Sequence, residues 1–237
     1  MIIVVLIISL LAFAIINIFA KKAWQTFLSL IFGLVFVASL VLIVANLSNH
    51  FGMEKEIEVK TTDIVSSTDS KNFNMLLHQA LGDGSEKVYL YRTNEDQKQP
   101  KATGTDHVTN QVEQTTDKAQ KVTKTTYWVY KNDQYKFWFN LAKNNHEYDK
   151  QTNLFKIPTD WIEFSTDQAK TFAQRVKQQQ TTIESEAKIY IQEGLAKAMI
   201  KNPAMTKQEQ ATLTKELAAK FQKQALAKLV QEVQAKK

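Results

Sequence analysis

The pattern of apolar and polar positions changes character twice along the chain, and each change predicts a different kind of structure. From Met1 to Ala20 no side chain is charged and only Ser9 and Asn17 are polar; from Phe27 to Leu47 the chain is again uncharged, with one glycine, Gly33. At 1.5 Å of rise per residue, about 20 residues cover roughly 30 Å, the thickness of a bilayer's hydrocarbon core. Backbone inside that core must satisfy its own hydrogen bonds, so both runs are predicted to be helices. Only Lys21 to Thr26 separate them, which predicts an antiparallel transmembrane hairpin with spans 1–20 and 27–47.

Beyond the exit segment Asn46–Met53, where Gly52 permits a bend, alternation takes over. Ile57, Val59, Ile64 and Val65 sit among Glu, Lys and Thr in the stretch 54–67, a strand pattern. Segments 72–80 and 86–93 flank Gly82-Asp83-Gly84, a hairpin signal, with Val88, Leu90 and Arg92 on one face of the second and Tyr89 and Tyr91 on the other. Segment 94–104 reads as a surface loop and 108–112 as a short strand. Segment 122–140 holds two aromatic runs around Lys131-Asn132-Asp133. Read as a tight hairpin, it pairs Tyr130 with Tyr135 and Trp128 with Phe137, and puts Trp138 and Val129 on the opposite face. Segment 154–164 is the last strand, with Pro158 marking an edge or a bend.

At Ser165 the period lengthens. Ser165–Gln168 is a capping-box start. Phe172, Val176, Ile183, Ala187, Tyr190, Ile191, Leu195 and Met199 then recur at steps of three and four up to Asn202-Pro203. Thr206–Glu209 is a second capping box, followed by a stripe of Leu213, Leu217, Phe221, Ala225, Leu229 and Val233. The predicted fold class is therefore α+β in three parts. Residues 1–50 form a transmembrane helical hairpin, 51–164 an antiparallel β-rich extracytoplasmic domain, and 165–237 a long amphipathic C-terminal helical hairpin that packs on itself or on the sheet.

The flanking charges add an orientation. Lys21 and Lys22, with Trp24 as an interfacial aromatic, crowd into the tight connection, and the segment after the second span is long enough to translocate largely regardless of its charge. This places the connection in the cytoplasm and the bulk of the chain outside. A cleaved signal peptide is disfavoured because no basic residue precedes the first apolar run and Ala12-Phe13-Ala14 lies inside it. There is no cysteine, which removes disulfides, thiolate metal sites and cysteine nucleophiles together. The net charge of +6 belongs to the tail: residues 51–164 hold 15 basic and 17 acidic groups, residues 165–237 hold 13 and 7. Outside a membrane that tail would meet anionic wall polymer or lipid headgroups rather than nucleic acid, although a solvated helix surface carries the same pattern.

Catalytic motifs are sparse. His50, His78, His107 and His146 are scattered, with no HExxH; the one polar cluster is His146, Glu147 and Asp149, read as a loop in which His146 and Glu147 point apart. Ser185-x-x-Lys188 matches a serine–lysine spacing, but its Ser-Asp-Asn and Lys-Thr-Gly companions are missing. No nucleophile elbow or phosphate loop occurs. Asp160 with Glu163, or Glu147 with Asp149, are the carboxylate pairs that a glycan hydrolase would need. Tyr127, Trp128, Tyr130, Tyr135, Phe137 and Trp138 form a candidate recognition surface for carbohydrate or peptide; the same rings would serve equally as core.

Four stretches resemble a known family: HFGM at His50–Met53, LGDGSEKVYLYRT at Leu81–Thr93, NNHE at Asn144–Glu147 and KNPAMT at Lys201–Thr206. Together they resemble, over essentially the whole chain, the membrane proteins of lactic-acid bacteria known as domain of unknown function 4811. The resemblance implies two spans and a gene often placed beside a multidrug-type transporter, and it supplies no catalytic residue. The expectation is a non-enzymatic, membrane-anchored envelope protein without a cofactor, acting as an accessory or binding partner of a membrane transporter. The alternatives are an extracytoplasmic hydrolase of wall glycan or peptide and a binder of anionic wall polymer.

Overall fold

The computed structural model describes residues 1–19, 21–70, 73–140 and 143–235. Helices α1 (Ile2–Phe19) and α2 (Ala23–Asn49) lie against one another, and each is long and apolar enough to cross a membrane. The second starts four residues earlier than its apolar run. Their packing inverts that of a water-soluble pair. Apart from Ile2, the buried residues of the two helices are Ser9, Ser29, Ser39 and Asn46, while most of the large apolar side chains face outward. Asn17 hydrogen-bonds Ser29 across the pair, and at Gly33 a Cβ would stand 3.3 Å from the Phe13 ring. Small residues and interhelical hydrogen bonds are what hold helices together where the surroundings are as apolar as the side chains.

The chain gathers into two compact units, each built from separate stretches. The first comprises Met1–Thr62, Thr105–Glu113 and Gln120–Lys156; the second comprises Asp63–Gly104, Gln114–Ala119 and Ile157–Lys237.

Beside α1 and α2, the first unit holds a four-stranded sheet of β1 (Met53–Asp63), β5 (Val108–Thr115), β6 (Gln120–Tyr130) and β7 (Glu147–Pro158) in the order β1-β6-β7-β5. Strands β6 and β7 run antiparallel from Gln120↔Lys156 to Trp128↔Glu147, with an irregularity between Thr126 and Tyr127. The fully buried Asn153 knits three strands: its oxygen accepts from Thr123 (3.1 Å) and Gln151 (2.9 Å), and its amide donates to Asn110 (2.8 Å). Such a buried amide is tolerable because its donors and acceptor are matched.

The hairpin read at 122–140 does not form. After β6 the chain enters a short helix, α3 (Asp133–Phe139), whose N-cap Asn132 accepts from the amides of Gln134 and Tyr135 at 3.1 Å each. Tyr130 and Tyr135 are therefore not a cross-strand pair, nor are Trp128 and Phe137, and the expected four-ring sheet face is absent. The Asn132-Asp133 pair that resembles a two-residue turn instead caps a helix, which satisfies two amides that a hairpin would have spent on its ladder. The partner of β6 is β7, reached after a loop.

The second unit contains β2 (Met75–Leu81), β3 (Glu86–Tyr91), β4 (Lys101–Ala102) and β8 (Ile162–Ser165), ordered β4-β3-β2-β8, with α4 (Thr166–Lys201) and α5 (Lys207–Gln234). The β2–β3 hairpin closes on Leu81↔Glu86, as the Gly82-Asp83-Gly84 signal predicts. Three expectations are corrected. The loop at 94–104 contributes β4, and β8 pairs with β2 in parallel rather than antiparallel fashion. The predicted strand 154–164 is two strands, broken where the Trp161 amide bonds back to the Pro158 carbonyl at 3.0 Å. Pro158 thus ends one strand and lets the next join a different sheet.

Both capping boxes are present: Ser165 with Gln168, and Thr206 with Glu209. The base of the helical hairpin packs on the sheet, with Phe172, Leu229 and Val233 against Met75, Ile162 and Phe164. Higher up, the helices pack on each other through Tyr190 and Phe221 (ring centroids 5.5 Å apart) and through Gly194, where a Cβ would come within 2.6 Å of Leu217. The Arg175–Glu232 ion pair (2.8 Å) ties the two helices near their base.

Candidate functional site

The sequence-predicted site residues fall almost entirely in the first unit, on two opposite faces of the sheet beside the α2–β1 joint. Adjacent strand residues point to opposite faces, so Tyr127 and Trp128 divide the cluster. On one face the Trp128 ring stacks on His50 at 4.3 Å, and the Lys55 ammonium stands 4.7 Å from the Trp128 centroid. The indole thus takes a parallel ring contact and a cation–π contact together. Lys55 also pairs with Asp149 at 3.0 Å, and Glu147 lies 3.9 Å from His50. The Lys55 ammonium holds the Asp149 carboxyl below the usual carboxylate range.

On the other face Tyr127 stacks on His146 at 4.0 Å and meets Tyr148 edge-on, while His146 lies 3.2 Å from Glu58. His146 and Glu147 therefore point apart, and each has its own partner, Glu58 for the one and His50 for the other. Among the described residues, no three His, Cys, Asp or Glu side chains converge to hold a metal.

The remaining rings belong to the joint. Tyr130 is buried with Ile2, Met53 and Phe139; its hydroxyl donates to Asn144, and Asn46 of α2 lies at 3.5 Å from the same oxygen. Burial pushes the Tyr130 phenol up. The Asn144 amide donates to Asn46 at 3.3 Å. His50, in the left-handed region at φ 52°, and Gly52, at φ 82°, turn the chain from helix to strand in three residues. Gly52 is required twice over: its φ suits glycine, and a Cβ would stand 2.3 Å from the Tyr135 ring. Tyr135 is half-buried, whereas Phe137 and Trp138 stay exposed on α3. Lys21, Lys22 and Trp24, the flanking residues at the far end of the helix pair, are exposed as well.

The second unit carries two features that sequence reasoning missed. Arg92 is buried beside a cavity of about 640 Å³ that Asp63, Asp69, Glu95, Lys118 and Trp161 also line. Its guanidinium donates to the carbonyls of Ser66 (2.6 Å) and Thr68 (2.8 Å) and pairs with Asp69, so its charge fastens the 66–69 loop. Elsewhere Glu163 of β8 accepts from the Tyr89 hydroxyl at 2.8 Å and from Lys87 at 3.2 Å, with His78 at 3.8 Å. Burial, and then the Lys87 charge, lower the His78 pKa, so its ring is neutral near pH 7. Burial and the Glu163 carboxylate push Tyr89 up. These four residues come from three strands, and no spacing in the sequence could have gathered them. Asp160 is not brought to Glu163's partners; it sits in the Pro158–Trp161 turn. Ser185 lies mid-way along α4 and bonds back to the Thr182 carbonyl.

The family model described as Domain of unknown function (DUF4811) matches residues 21–172. The chain belongs to that family. Its match covers α2, both sheets and the first turns of α4, so the family region ends well before the chain does and is narrower than the whole-chain resemblance. Every residue of the DUF4811 joint from His50 to Glu147 lies inside it. No curated protein and no solved structure matches the chain.

Proposed function

We propose that the protein is a membrane-anchored, non-enzymatic envelope protein that binds an integral membrane partner, with α1 and α2 in the bilayer and the bulk of the chain outside the cell. The observation that carries the reading is β1. This strand lies at one end of its sheet and starts four residues after α2 ends, yet it exposes Ile57 (60%) and Val59 (61%) on one face. The apolar members of an alternating strand ordinarily turn to a core; left outward on an edge strand, they suit a protein partner. A partner that reaches β1 so close to the end of a span is itself at the membrane, and the transporter neighbourhood implied by the family resemblance fits.

The joint supports the same reading. The Asn46–Tyr130–Asn144 hydrogen bonds and the buried Ile2, Met53 and Phe139 fix the first sheet to the helix pair, with no flexible tether between them. A body held at a set height over lipid suits a subunit that docks on a neighbour.

The test is purification of the full-length protein in mild detergent. A stoichiometric membrane protein should accompany it, and Ile57→Lys with Val59→Lys should release that protein while circular dichroism and melting stay as in the parent. Recovery of the parent alone under several mild conditions, or a partner retained by the double variant, would remove the reading.

A further inference from the structure

We infer that α3 is an aromatic foot that rests in the lipid headgroup layer and sets the height of the first sheet over the membrane. The inference rests on the proposal that α1 and α2 span the bilayer.

Helix α3 has two unlike sides. Inward, Tyr135 and Phe139 lie one turn apart, and Phe51 meets both edge-on at 5.8 and 6.1 Å. Outward, Phe137 (59%) and Trp138 (43%) are exposed side by side, and Phe51 is itself exposed over two-fifths of its surface. The helix is fixed to the end of the apolar pair. The Met1 nitrogen donates to the carbonyls of Phe137 and Trp138 at 2.9 and 2.8 Å, Ile2 packs in one cluster with Phe139, and Phe51 follows α2 by two residues. The exposed Phe and Trp therefore stand level with the ends of both helices.

That level is where a bilayer's hydrocarbon gives way to headgroups, and where amphipathic aromatic rings concentrate. Lys131 and Lys136 are also exposed around α3 and would reach headgroup phosphates. Trp24, exposed at the other end of the pair, would mark the opposite interface. The outward surface of α3 thus mixes two large rings with Asp133, Gln134 and Lys136, the combination that suits the boundary between hydrocarbon and water, and it lies at the end of two spans. Its occupant is the bilayer itself.

The chain has no cysteine, so single nitroxide labels can be placed at will on the full-length protein in vesicles of phosphatidylcholine and phosphatidylglycerol. Phe137→Cys reads the foot, Leu34→Cys the middle of α2, and Lys124→Cys a solvent position on β6. The ratio of oxygen to nickel-chelate accessibility should be highest at Leu34→Cys, lowest at Lys124→Cys, and at Phe137→Cys several-fold above Lys124→Cys. A lipid-like Leu34→Cys with a water-like Phe137→Cys would overturn the foot and leave the spans standing. A water-like Leu34→Cys would overturn the spans and the foot together. Trp138→Cys repeats the reading at the neighbouring position, with the same outcomes.

Discussion

A histidine buried without a full set of partners ties the stability of its surroundings to pH, and His78 is such a residue. It lies on the face of β2 that meets Tyr89 and Lys87 of β3 and Glu163 of β8. Its folded pKa lies below the ordinary 6.5, chiefly through burial and secondly through Lys87, against an opposing pull from Glu163. The unfolded chain therefore binds a proton that the folded chain resists, and stability rises with pH across that interval. The contribution is fully present above about 6.5, the unfolded value, and is lost as pH falls through the lower folded value. The melting temperature should accordingly drop as the pH falls below about 6.5, and His78→Phe should flatten that part of the profile. An identical drop in the variant would assign the effect to other groups. Glu163 alone among its partners was singled out in the sequence, and for a pairing with Asp160 that the fold does not make. Residue types are legible one at a time, whereas a cluster drawn from three strands depends on register.

At the scale of elements, periodicity was a good guide wherever a segment could satisfy itself. The two apolar helices, the β2–β3 hairpin and both capped helices of the tail answer to their own residues, and all appear near their predicted bounds. The failure at 122–140 is instructive because helical spacing was present. Tyr135 and Phe139 are four apart and share one side of α3, but the aromatic run hid that step behind an alternating one. Which reading wins is decided by Phe51 and Gly52, which offer α3 a surface that a local pattern cannot see. This gives Gly52→Ala a definite expectation. The substitution forces a left-handed φ on a residue with a Cβ, which costs about 1–2 kcal/mol. It also drives that Cβ into the Tyr135 ring, at a further cost of about 1–3 kcal/mol. The joint should loosen, with a lower melting temperature in detergent and faster proteolysis between α2 and β1. Gly82→Ala is the control: its φ is 54°, but a Cβ there meets nothing within 4 Å, so it should carry only the backbone part of the cost.

For the molecule as a whole, the three-part α+β layout was readable because each part has its own hydrophobic period, while the division into two sheets was not. Pro158 announces an edge or a bend in 154–164, but nothing there announces that the strands on its two sides belong to different sheets, since both carry large apolar residues. The tail raises the last question of scale. The family match ends at residue 172, and the helices beyond it carry most of the chain's excess positive charge. Lys215, Lys220, Lys223 and Lys228 are all exposed on α5, clear of its buried Leu229 and Val233, so they can be changed without disturbing the packing on the sheet. Replacing each by glutamate removes two charges per site and takes the chain from +6 to −2. If the tail holds anionic wall polymer or lipid headgroups, retention on isolated walls or anionic vesicles should fall sharply in the fourfold variant. The parent should itself let go as salt shortens the screening length from about 8 Å at physiological ionic strength to about 3 Å at 1 M. Retention unchanged by both treatments would leave the lysines as the solvated side of a structural hairpin, and would place attachment entirely in the first fifty residues.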